Sequence, residues 1–417
     1  MRRRAGWVAA IAASALVAAE PPREWVDADT GHRVVRLTDE PGSASLYFNQ
    51  NGYTADGKNL VYTTPQGISV LDLATRKPRR VVEGQVRMID AGRKHPRVYY
   101  IRDGAAYWTS VTTGETRKIG ALPPRGSIAT VNADETLLAG TYIEGEGQDY
   151  GGNRGGQKNA QGHSLDQPRN KGQMMEDRWA SRLPMAMFTL NIETGETRII
   201  HRANDWLNHL LFSPKDPGLL MFCHEGPWHK VDRIWLIRTD GSGLKRIHSR
   251  TMAMEIWGHE FWSADGKTIY YDLQIPRGED FWLAAYEVES GRRRWYHLQR
   301  DEWSIHFNVN RDGSLFTGDG GDPGQVARAK DGQWIYLFRP EMIPNRGLDD
   351  ASFVQPGVLR SERLVNMSKH QYRLEPNVSF TPDQKWVVFR SNMFGETYVF
   401  AVEVAKAGAS PTESARD

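Results

Sequence analysis

Short apolar and aromatic runs separated by polar turns recur along this chain, and helical periodicity is nowhere sustained. The stretch Ile256-Trp-Gly-His-Glu-Phe-Trp-Ser-Ala-Asp-Gly-Lys-Thr-Ile-Tyr-Tyr-Asp272 shows the unit. An aromatic run leads into the polar turn Ala264-Asp-Gly-Lys267, and Ile269-Tyr-Tyr271 leaves it. Gly266 supplies the positive φ such a turn asks for, and the β-branched and aromatic flanks have strand composition.

The unit repeats. Further copies run over Tyr53–Tyr62, Asp90–Tyr100, Val131–Leu138, Phe212–Met221, Val309–Phe316 and Phe380–Val388, which makes seven. Second hairpins follow, such as Ile68–Val82, Ala106–Ile119, Met187–Ile200 and Ile234–Ile247. Two hairpins per repeat of about 40–50 residues is the signature of a four-stranded propeller blade. The chain therefore reads as all-β, a seven-bladed β-propeller. Trp25–Leu37, turning at Asp29-Thr-Gly31, can close the ring by adding a strand to the blade of Phe380–Val404. An irregular β-sandwich would not need repeats this regular.

Three insertions break the rhythm: Gly145–Arg182, Asp319–Gln333 and Pro340–Leu364. Long loops in a compact domain commonly serve as lids. The first is expected to be a partly ordered lid at the mouth of the central channel.

Composition agrees with a turn-rich β fold: 14 Trp, 15 Tyr and 40 Gly in 417 residues. A formal net charge of +2 excludes the concentrated basic face that nucleic acid would require. One cysteine, Cys223, cannot form an internal disulfide. The N-terminus carries a basic segment, Met1-Arg-Arg-Arg4, an apolar run Gly6–Val17, and small residues Val17-Ala-Ala19 before Glu20. That is the pattern of a secretory signal, too short for a membrane anchor. The expected organisation is a signal peptide over 1–19, a propeller over 20–405 and a disordered tail over 406–417. Localisation is then periplasmic or secreted, without stable membrane insertion after cleavage.

Histidines carry the candidate chemistry. His224 ends an apolar strand in Cys223-His-Glu-Gly-Pro227, His259 sits in Trp257-Gly-His-Glu-Phe-Trp262, and His306 in Trp303-Ser-Ile-His-Phe-Asn308. The seventh repeat offers His370-Gln-Tyr-Arg-Leu-Glu-Pro-Asn377 at the corresponding place. A single histidine beside aromatic residues is ordinarily a packing residue. Similar phase in successive repeats instead predicts convergence on one pocket, with His, Gln, Glu and Asn donors suited to Mn, Ca or Zn.

The runs Cys223–Trp235, Gly258–Trp262 and Ile305-His306, together with Asp312–Asp322, resemble the oligogalacturonate lyases of polysaccharide lyase family 22. Leu46–Lys58 and Ser379–Asp383 are similar to them too, so the likeness spans most of the mature chain. The resemblance implies a seven-bladed enzyme that cleaves oligogalacturonate or related uronate oligosaccharides by metal-assisted β-elimination. It implies His259 as the Brønsted base and Arg233 as the carboxylate contact. A divalent metal, manganese by the family's habit, would be held by His306, Gln371, Glu375 and Asn377, the last two standing where the family has histidines. His224, Arg373, Arg178 and Arg182 are the further substrate-binding candidates. An unperturbed histidine has the right pKa to take a proton beside a carboxylate, and cations would stabilise the enolate. The alternative is a non-catalytic periplasmic propeller scaffold, which would have no use for histidines in phase. The propeller half of a serine peptidase is disfavoured, because no Gly-x-Ser-x-Gly elbow occurs.

Overall fold

The computed structural model describes residues 20–145, 171–348 and 350–408. The expected signal peptide, much of the first insertion and most of the tail lie outside the described residues. Each repeat folds as a four-stranded antiparallel blade. Six blades run outward from the axis in chain order: Ala44–Ser45 to Pro78–Glu83, Arg87–Ala91 to Thr116–Ala121, Ser127–Val131 to Thr197–Ala203, Trp206–Phe212 to Lys245–Arg246, Ile256–Trp262 to Arg293–His297, and Phe307–Val309 to Gln355–Asn366. The seventh comprises Ser379–Phe380, Trp386–Phe394 and Glu396–Lys406. His32–Arg36 completes it, pairing Val34 with Val402, and Glu24–Val26 adds a fifth strand outside. The N-terminal closure read from Trp25–Leu37 is thus present. It leaves no blade without its full set of strands.

The turns form for a shared reason. A hydroxyl two positions before the aspartate donates to its carboxylate, as in Thr54–Asp56, Ser263–Asp265 and Thr381–Asp383, each at 2.6 Å. The same carboxylates accept the backbone N–H of Lys58, Lys267 and Lys385. Blades pack through aromatic and β-branched residues, with the largest cluster joining blades five, six and seven.

The third insertion departs from expectation. Most of Pro340–Leu364 is strand, because Trp334–Met342 and Gln355–Asn366 extend into a long hairpin. The latter strand also pairs in parallel with Arg293–His297, joining blades five and six into one eight-stranded sheet.

The innermost strands matter most for function. In blades two to five each carries a register shift near its middle: Met88/Asp90, Ile128/Thr130, Asn208/Leu211 and Gly258/Phe261. A bulge re-aims side chains out of the ladder. In blades four and five it holds His209 and His259 at φ 47° and 48°, a left-handed conformation that is uncommon outside glycine.

Candidate active site

His259 is placed by that bulge on the innermost strand of blade five. Its Nδ1 lies 3.3 Å from Asp272 Oδ2 on the next strand outward. With Nδ1–H donating there, Nε2 keeps its lone pair. Trp228 packs edge-on against the ring at 5.1 Å. Burial lowers the imidazole pKa, and Asp272 opposes that only in part, so the ring is neutral near pH 7. A neutral imidazole with an oriented Nδ1–H is a general base in waiting.

His306 directly precedes the innermost strand of blade six. It repeats the device: Nδ1 lies 2.8 Å from Asp319 Oδ2, and its own N–H donates to Asp319 Oδ1 at 2.8 Å. Both members are fully buried. Tyr47 Oη lies 3.1 Å from Nε2. Burial and then the charges of Glu375, Glu260, Asp319 and Glu225 push the Tyr47 pKa well above normal, so the phenol keeps its proton. Glu375 Oε2 is 3.8 Å from Nε2.

Tyr47 and Phe48 come from the segment Leu46–Tyr53, which crosses into the channel from blade one. Phe48 stacks on His306 at 4.5 Å and meets Phe261 at 5.9 Å. Its N–H donates to Asn377 Oδ1. On one side of this plug lies a cavity of about 850 Å³ bordered by His259, Glu375, Trp228, Ile305 and basic side chains that include Arg277, Arg300, Arg328 and Lys330. One rim is the helix Lys171–Ala180, whose Glu176 accepts a hydrogen bond from Lys230 at 2.8 Å.

A buried, neutral histidine beside a second aspartate-backed histidine, at the mouth of a propeller channel, suits proton abstraction from a small polar substrate. The sequence profile of the family described as oligogalacturonate lyase matches residues 167–408. The chain belongs to the oligogalacturonate lyase family. The oligogalacturonide lyase of Pectobacterium atrosepticum is 25% identical over 397 residues, covering 91% of this chain and 95% of that protein. The oligogalacturonate lyase of Dickeya dadantii is 25% identical over 398 residues, with coverage of 91% and 95%. A solved oligogalacturonate lyase in complex with manganese superposes with a TM-score of 0.72 at 23% identity, covering 92% of this chain and 96% of that one.

Within this oligogalacturonate lyase fold, His259, His306 and Glu375 come together. The other expected residues do not all join them. Arg233 is 1% exposed. It forms a close ion pair with Glu225 and lies behind Trp228, 4.2 Å from that ring. His224 belongs to the second strand of its blade rather than the innermost, so it is out of phase with His259. Its Nδ1 meets Asp205 at 3.2 Å. Arg182 pairs with the same Asp205, and buried Arg178 lies over Trp206 at 5.0 Å. Arg373 is exposed and does not border the cavity. Gln371 is exposed, its backbone held by Asn392. Asn377 is buried in the cluster, but its amide is spent on Phe48 N–H and Glu375 carbonyl.

Several residues were missed by sequence reading. Asp272 and Asp319 each stand thirteen positions after their histidines, a spacing visible in the chain. His209, not His224, is the positional counterpart of His259, and its Nε2 reaches Glu225 at 3.1 Å. Tyr47 and Phe48 carried no chemical signal of their own, because nothing local says that their loop enters the channel.

Proposed function

We propose that this enzyme cleaves short pectic, uronate-containing oligosaccharides by β-elimination, with His259 as the base. The observation that carries the reading is the neutral His259, buried, fixed by Asp272 and bordering the cavity. Nε2 takes the proton on the carbon next to the uronate carboxylate. That C–H electron pair becomes the new ring double bond, the bond to the neighbouring glycosidic oxygen breaks, and the departing oxygen takes a proton from water. Trp228 shields the imidazole face, and Arg233, held by Glu225, positions Trp228 from behind.

The solved relative contains manganese, and the chemistry here suits a divalent cation. A carboxylate behind a histidine Nδ1 is the usual support of a metal-ligating imidazole, and His306 with Asp319 has it. His306 Nε2 and Glu375 would hold the ion, manganese first and calcium as the harder alternative. Among the described residues no third His, Cys, Asp or Glu completes a cluster, so water and substrate oxygens would fill the remaining positions. When bound, such an ion supplies positive charge beside the uronate carboxylate.

Export follows from the basic and apolar run over 1–19, read as a cleaved signal; among the described residues no helix is long and apolar enough to cross a membrane. N-terminal sequencing of the mature protein would begin at Glu20. The function itself is tested by ultraviolet absorbance of the conjugated double bond. Oligogalacturonate incubated with manganese should give a rising signal, and no unsaturated product from any uronate oligomer would sink the assignment.

A further inference from the structure

Four of the basic residues bordering the cavity lie close together in blades five and six. Many arginines elsewhere have acidic partners, such as Arg33 with Glu403 at 2.9 Å and Arg80 with Glu40 at 2.7 Å. Among the described residues, Arg277, Arg300, Arg328 and Lys330 form no ion pair. Three of them gather around one backbone unit: Arg277 precedes Gly278, Arg300 donates to the Gly278 carbonyl at 2.5 Å, and a Cβ on Gly278 would stand 3.0 Å from Arg328 Nη1. Like charges held together without a counterion disfavour the fold unless an anion completes them.

The arrangement is built rather than left to flexible side chains. Buried Gln274 accepts from Gly278 N–H at 2.8 Å and donates to the Val326 carbonyl at 3.0 Å, tying the Arg277 turn of blade five to the loop of blade six. In that loop Ala327 and Ala329 are fully buried while Arg328 and Lys330 are exposed between and after them. The backbone is thereby anchored and the cations are presented outward. Arg300 lies over the Trp303 ring at 4.0 Å.

Resting on the lyase reading above, we propose that Arg277 and Arg328, with Arg300 and Lys330 beside them, form a second carboxylate shelf. It grips the uronate adjoining the one being cleaved. His259 and Glu375 border the same cavity, so one sugar occupies the reacting centre and its neighbour lies over the shelf. Guanidinium forks match carboxylates in paired hydrogen bonds. The enzyme therefore selects runs of consecutive unesterified uronates, and a neutral methyl-esterified neighbour is a poor fit.

The test compares trigalacturonate with its methyl ester in wild type and in Arg277→Gln/Arg328→Gln. The shelf requires KM for the acid to rise about tenfold or more, with kcat little changed and a flatter dependence on salt. KM for the ester should hardly move. Calorimetric titration of trigalacturonate into His259→Ala protein, with and without the two arginine changes, reads the same loss without turnover. If the double variant melts early, Arg277→Gln/Lys330→Gln carries the same expectation. Unsaturated product with unchanged KM in the variants overturns the shelf and leaves the lyase reading standing. Salt-sensitive binding that the variants abolish, with no product from wild type, keeps the shelf and rejects the lyase. Absence of both binding and product rejects both.

Discussion

His259 and His306 meet edge-on, their ring centroids 4.7 Å apart, although each belongs to a different blade. Each has its Nδ1 fixed by an aspartate from its own blade. Two histidines with the same support therefore present Nε2 to one centre, one suited to take a proton and the other to hold a cation.

His259→Ala should lower turnover on oligogalacturonate by about 10²–10⁴-fold. Circular dichroism should stay near wild type, while the melting temperature falls modestly, because Ala leaves buried Asp272 without its partner and removes ring contacts to Trp228, Phe48 and His306. Asp272→Asn should give a smaller loss, through orientation. Absorbance growth that His259→Ala leaves intact would remove His259 from the mechanism.

Metal content divides the residues around His306. Elemental analysis after manganese loading should show a fall in His306→Ala and in Glu375→Ala. Asn377→Ala should retain metal but lose about 1–3 kcal/mol of stability, because Phe48 N–H loses its buried acceptor. Unchanged stoichiometry in both ligand variants would return His306 and Glu375 to packing roles.

The Arg233–Glu225 pair is buried on both sides. Removing one partner of such a pair costs roughly 3–5 kcal/mol, so Arg233→Met should be visibly unstable in denaturant melts. Burial opposes the charge on Glu225, but Arg233 and His209 outweigh it and hold its carboxyl well below the usual 4.5. The sign follows. A depressed carboxyl contributes stability that is fully present above about pH 4.5 and is lost as pH falls toward its folded value. Wild type should weaken on acidification below that point, and Glu225→Gln, already weaker at pH 7, should show a shallower acid decline. Parallel declines in the two proteins would argue against the pairing.

Gly258 leaves room for Trp228. A Cβ there would sit 2.7 Å from the Trp228 ring and 3.1 Å from Arg233 Nε. Gly258→Ala should therefore shift the indole that packs on His259. Activity should drop by an order of magnitude or more, with a destabilisation of about 1–3 kcal/mol. Full activity in this variant would mean that Trp228 does not set the environment of the base.

The fold was legible because each blade repeats its own instructions. An Asp–Gly–Lys turn between aromatic runs specifies a hairpin locally, and seven hairpin pairs leave few architectures open. His259 and His306 were legible for the same reason, since each lies at an inner strand. His224 misled because it too borders a strand, and only the pairing of Leu207 with His224 shows that strand to be the second of its blade. Arg233 misled because its sequence neighbours do not reveal Trp228 lying over it. Tyr47, Arg277 and Arg328 were beyond sequence reading, since their contacts join segments far apart in the chain.

The ring is sealed by segments at opposite ends of the polypeptide: His32 Nδ1 meets the Glu403 carbonyl across 371 positions. Closing so long a loop is entropically slow and rewarded only at the end. Tyr47 and Phe48, which complete the His306 centre, follow the sealing strand His32–Arg36 by eleven and twelve positions and reach the channel only as the ring forms. The reaction centre is thus complete only in the closed ring. A ribosome-bound chain lacking its final blade holds both histidines yet has no finished centre, so activity becomes a report on circular closure itself.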